Sequence, residues 1–135
     1  MSSITYSLGI SREMPAVYLL RNVARFSMPV PQDIEFEASG VFYNVRCRSG
    51  RLDVVSSKGY RWDGPSGPAF DSPTGMRASL FHDVLYQAII EGKVSKEHRK
   101  LADQALLRIT EQDGMAWARR WLWYLAVRAM GWRAL

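Results

Sequence analysis

The chain sets His82 and Asp83 side by side in the apolar run SLFHDVLY, residues 79–86, with Tyr86 at i+4 from the histidine and a further aspartate downstream at Asp103. Burying such groups unpaired costs roughly 2–7 kcal/mol for a neutral polar group and more for a charge. Each therefore needs a partner. On a helix His82 has Ala78, Ser79, Leu85 and Tyr86 at i±3 and i±4, a largely apolar surround that turns it inward. Asp83 lies about 100° further round, so the two side chains diverge and serve different purposes. Asp103 is followed at i+3 and i+4 by Leu106 and Leu107, the pattern of a carboxylate at the edge of a buried face. A histidine on an antiparallel neighbouring helix is placed to pair with it. A neutral imidazole held in one tautomer by a buried carboxylate can take a proton from water attacking an ester, with Asp103 orienting and His82 abstracting. Asp83, facing elsewhere, suits a hard cation. Calcium takes about six to eight oxygens, so backbone carbonyls must complete its shell, and the candidate loop is WDGPSG, residues 62–67.

The elements that must position these groups change character near residue 70. From Ile34 to Trp62, β-branched and aromatic residues alternate with polar ones and are interrupted at Ser39-Gly40, Ser49-Gly50 and Lys58-Gly59, which predicts three or four short antiparallel strands. The preceding SREMPAVYLLRNVARF fits a helix begun near Ser11 with Pro15 in its first turns, while its valines and aromatics leave a strand open. After the loop, helices are expected over about 75–91, 95–113 and 115–131, punctuated by Gly92 and Gly114, with Ser95 as an N-cap and Glu97 in the first turn. The fold class is α+β: N-terminal antiparallel strands, a Gly/Pro loop, then three C-terminal helices. One domain is expected over 1–135, mainly β to residue 62, loop over 63–74 and helical from 75.

Composition sets the bounds. A chain of 135 residues, 47% hydrophobic and 23% charged, can bury about two-thirds of its unfolded surface in one core. A single cysteine, Cys47, excludes an internal disulfide and a disulfide-built secreted scaffold. The net charge of +5 favours anionic partners without choosing among them. The opening MSSITYSLGI shows neither the basic leader nor the apolar core of a signal peptide.

Together, HDVLY on one helix, AD on the next and the upstream aromatic-x-G-x-x-G loop resemble the phospholipase A2 superfamily, nearest to its disulfide-poor branches such as the phospholipase domain of parvovirus capsid proteins. The likeness covers Gly59 to Ile109. It implies His82 as general base, Asp103 as its partner, Tyr86 as a hydrogen-bonding tyrosine and Asp83 as the calcium carboxylate, with the carbonyls of Trp62, Gly64 and Ser66 as loop ligands. The loop departs from that pattern in Trp62, in the extra acid Asp63, a further metal ligand or a loop cap, and in Pro65 between the glycines. The WDGPSGP loop, HDVLY, LAD and the basic aromatic C-terminal helix also resemble an uncharacterised domain family of phage and prophage genomes. That likeness implies a phage protein of the host cytoplasm or the virion, either a lysis or injection enzyme or a non-catalytic tail- or capsid-associated part.

Other chemistries fit less well. Ser66 in DGPSG is no nucleophile elbow, and a histidine–aspartate phosphohydrolase needs an additional upstream histidine where this chain has only His82 and His98. His98, three residues after the Ser95 cap, is expected to be solvated. The segment MAWARRWLWYLAVRAMGWRAL holds four arginines and no acid. Arg119, Arg120 and Arg128 interrupt its apolar run, leaving too little for a span of about 20 residues. Trp117, Trp121 and Tyr124 share a face, with Trp123 pointing elsewhere. Trp117, Trp121, Trp123, Arg119 and Arg120 are the expected contacts to a phospholipid surface or to other virion proteins, an oligomer included. Nucleic acid is disfavoured, since no reading helix or aromatic strand platform is evident.

Overall fold

The computed structural model describes residues 4–9, 17–62 and 73–135. Its strands are β1 (Tyr6–Gly9), β2 (Val17–Leu20), β3 (Ala24–Pro29), β4 (Phe36–Ser39), β5 (Tyr43–Arg48), β6 (Arg51–Ser56) and β7 (Arg61–Trp62), followed by α1 (Pro73–Ile90), α2 (Arg99–Gln112) and α3 (Trp117–Met130). The strands form two antiparallel sheets, β1-β2-β7 and β3-β6-β5-β4, so the fold is α+β with strands first and helices after.

The alternation that predicted the strands becomes an inside and an outside. Ala24, Phe26 and Met28 on β3, Tyr43, Val45 and Cys47 on β5, and Leu52 and Val54 on β6 are buried. Register fixes Phe26, Val54 and Val45 in one cross-strand row. The β5–β6 hairpin closes through Ser49 and Gly50, both at positive φ (54° and 76°), the two-residue turn whose twist matches that of its strands. Of the helix and strand left open for residues 11–26, the described part takes strand, as β2 and the start of β3, while residues 11–16 lie outside the described residues. Its residues find partners there: β2 pairs with β7 and β3 with β6, so backbone groups are satisfied across strands rather than along a helix.

Helix α1 lies on the inner face of the larger sheet, with Phe81 5.7 Å from Phe26 between ring centroids. The two C-terminal ends of α1 and α2 close as expected on Gly92 and Gly114, at φ of 75° and 84°. Lys93 N–H donates to the Ala88 carbonyl at 3.0 Å and Met115 N–H to that of Thr110 at 2.9 Å, capping each last turn. Ser95 caps a 3₁₀ turn, Lys96–His98, which leads into α2. His98 is not solvated as expected: it stacks on Phe36, with centroids 4.8 Å apart, because this turn docks against the strand. Helices α1 and α2 run antiparallel, since Arg77 meets Asp113, His82 meets Asp103 and Tyr86 meets Arg99.

Candidate functional site

Asp103, fully buried on α2, is the centre of the site. Its Oδ1 lies 2.8 Å from His82 Nε2 and accepts a hydrogen bond of 2.8 Å from the Tyr86 hydroxyl. Its Oδ2 accepts from Arg128 Nη1 of α3 at 2.8 Å and lies 3.7 Å from Arg99 Nη1 one turn back on α2. The helical spacing that puts Tyr86 one turn after His82 brings their rings together, 4.2 Å between centroids and tilted by 34°, so both reach the same carboxylate oxygen. Burial pushes the Asp103 carboxyl up, but the hydrogen bonds from His82, Tyr86 and Arg128 outweigh it and hold the group below its ordinary value. An ionised carboxylate can only accept. His82 Nε2 must then carry the hydrogen, which leaves the Nδ1 lone pair as the basic position of the neutral ring. Burial and the bond to Asp103 push the Tyr86 phenol up, so it stays a donor.

The sequence placed His82, Tyr86 and Asp103 together, and the structure assembles them. It adds two residues the sequence reading left out, Arg99 and Arg128. Arg99 Nη1 and Nη2 also donate to the carbonyls of Val127 and Arg128, each at 3.1 Å, which fastens α3 against α2. Arg99 sits at i−4 from Asp103, a spacing visible in the sequence. Arg128 depends on how α3 docks, and nothing local marks it. Gly131 belongs to the same junction: a Cβ there would lie 2.3 Å from the Tyr86 hydroxyl and 3.0 Å from Arg99 Nη1.

Asp83 diverges from His82 as the wheel required. It is half-buried, and after burial its charge is the next cause that pushes the Tyr60 phenol up, so it stands on the Tyr60 side of α1. Trp62 is buried in β7, where Tyr6 and Tyr18 pack on its ring and its Nε1–H donates to Ser79 Oγ at 3.0 Å. Of the expected calcium ligands, Asp63, Gly64 and Ser66 lie outside the described residues. Among the described residues no group of three or more His, Cys, Asp or Glu gathers, and the expected calcium ligands that fall there are the Asp83 carboxylate and the Trp62 carbonyl, hard oxygen donors of the kind calcium takes.

The expected lipid or partner residues divide. Trp117 and Trp121 are exposed, Arg119 and Arg120 half-buried, and Trp123 is buried in the core, which removes it from any contact surface. The reason is angular: Trp123 falls on the side of α3 that faces α2. A cleft of about 670 Å³ is lined by Leu19, Phe42, Tyr60, Arg61, Gln87 and Glu91 among others. Gln87 lies about 140° round α1 from His82 and Glu91 just past the end of the helix, so this cleft opens away from the His82–Asp103 pair.

No curated protein and no solved structure matches the chain. A family described as a protein of unknown function (DUF1353) matches residues 39–127, which run from the end of β4 to the last turn of α3 and so include His82, Tyr86, Asp103 and Arg99. That is more than half of the 135 residues, and the chain belongs to this family of unknown function.

Proposed function

We propose that the protein is a phage-encoded hydrolase of phospholipid esters, similar in its chemistry to phospholipase A2. The observation that supports this reading is the 2.8 Å contact between His82 Nε2 and the fully buried, ionised Asp103, which leaves Nδ1 as an oriented base. In the proposed reaction Nδ1 takes a proton from a water whose oxygen attacks the ester carbonyl. The imidazolium so formed stays hydrogen-bonded to Asp103, and it returns the proton to the leaving alkoxide as the tetrahedral intermediate collapses to fatty acid and lysophospholipid. Arg128 and Arg99 share the Asp103 carboxylate with His82, and Asp103 holds the ring in one orientation. A calcium ion held by Asp83, Asp63 and the carbonyls of Trp62, Gly64 and Ser66 would supply a Lewis acid to the ester carbonyl.

The test is fatty-acid release from mixed phospholipid vesicles with calcium or with chelator. Release that depends on calcium and falls at least about 10²-fold in a folded His82→Asn variant supports the reading. No release from any headgroup class, at any calcium concentration, overturns it. A second reading, a non-catalytic virion structural or assembly protein, is favoured by one observation: the same carboxylate ties α1, α2 and α3 together through Tyr86, Arg99 and Arg128, a role that needs no substrate. Co-purification with particles in the absence of hydrolysis would select it.

A further inference from the structure

Helix α3 inverts the usual polarity of a surface helix, whose outer face is polar. Trp117 (67% exposed), Trp121 (38%), Leu125 (59%) and Leu122 (58%) fall within an arc of about 140°, together with exposed Ala118 and Ala129. The one charged residue in that arc, Arg128, is turned to Asp103. Trp132, 60% exposed, prolongs the apolar surface into the 3₁₀ turn Gly131–Ala134.

The orientation is held by specific ties. Buried Trp123 and half-buried Val127 pack on the inner side, Arg128 bonds Asp103, Arg99 bonds two α3 carbonyls, and Arg120 Nη1 donates to the Met115 carbonyl at 3.2 Å. The apolar face is therefore kept outward. The only ionised side chains from Gly114 to Leu135 are four arginines.

We propose that this face of α3 docks on an anionic phospholipid surface, lying in the interface rather than crossing it. A helix of 14 residues is about 21 Å long, short of the roughly 30 Å hydrocarbon core, and no described helix is long and apolar enough to span. Tryptophans at the headgroup level and arginines beside them complement anionic lipid. A second copy is disfavoured because an isologous contact would bring together the arginines that flank the arc and follow the helix, with no acid from Gly114 to Leu135 to pair them. The proposal stands whether or not the protein hydrolyses lipid.

The experiment is co-sedimentation of the whole chain with vesicles of phosphatidylcholine alone and of phosphatidylcholine with phosphatidylglycerol. Binding is expected on the anionic vesicles and should weaken as salt rises. Leu122→Glu with Leu125→Glu, at exposed sites that leave circular dichroism and melting temperature unchanged, should lower the bound fraction at least about tenfold. His82→Asn should bind as wild type does, which separates docking from hydrolysis. Absence of binding to anionic vesicles, or undiminished binding by the double variant, overturns the proposal. So does a dimer in sedimentation velocity that the double variant dissociates, because the face would then be covered by a second copy.

Discussion

Asp103 joins side chains of α1, α2 and α3, and two predictions follow from its ionisation. Its folded carboxyl is held below the ordinary value of 3.8, so it stabilises the fold above the unfolded value and that stability is lost as pH falls through the folded value. Asp113 acts with the opposite sign, because burial outweighs Arg77 and holds its carboxyl above the ordinary value. Asp103→Asn should therefore flatten the loss of melting temperature below about pH 4 while costing about 3–5 kcal/mol at neutral pH, where Arg128 and Arg99 lose their counter-charge. Equal acid slopes in variant and wild type would show that other carboxylates govern acid unfolding. Ser79→Ala belongs to the same scale. The Ser79 hydroxyl accepts from buried Trp62 and donates to the Met76 carbonyl, so removing it strands the indole N–H at a cost of about 1–3 kcal/mol, read by urea denaturation.

Elements meet closely where α3 ends against α1 and α2. Gly131 has an ordinary helical φ of −61°, so its requirement is for space rather than backbone freedom. Gly131→Ala should destabilise by about 1–3 kcal/mol by driving the new methyl into Tyr86 and Arg99. Tyr86→Phe removes the clashing oxygen, and the double variant should lose less than the sum of the two single losses; strict additivity in a double-mutant cycle would mean that α3 moves away as a body. The same junction explains why the elements were legible to different degrees. Strands β4 to β7 and the helix ends at Gly92 and Gly114 follow from local alternation and turn chemistry. The β2–β3 region did not, because a short stretch such as VYLL suits either state until a partner strand appears.

Calcium, if held as proposed, acts on the stability of the whole molecule. Binding only to the folded chain raises stability by about 2.7 kcal/mol at a hundredfold excess over the dissociation constant, so melting temperature should climb with calcium. The rise should vanish in Asp83→Asn and be weak with magnesium, which demands a tighter octahedral shell. Identical melting of wild type and variant across millimolar calcium would leave Asp83 as a structural acid.

The sequence by itself determined the α+β order, the inward turn of His82, the divergence of Asp83 and the availability of Asp103 as partner, because each follows from a helical or strand period within one element. Only the tertiary structure decided what surrounds that pair. Arg128 read as a break in an apolar run until α3 was seen docked on α2, and His98 as a solvated residue until its turn lay on Phe36. Trp123 and Trp121 share a composition and a helix, yet one fills the core and the other faces outward. The physical reason is common to all of these: a period of 3.6 residues fixes which side chains share a face, but which face meets protein depends on contacts between elements distant in the chain.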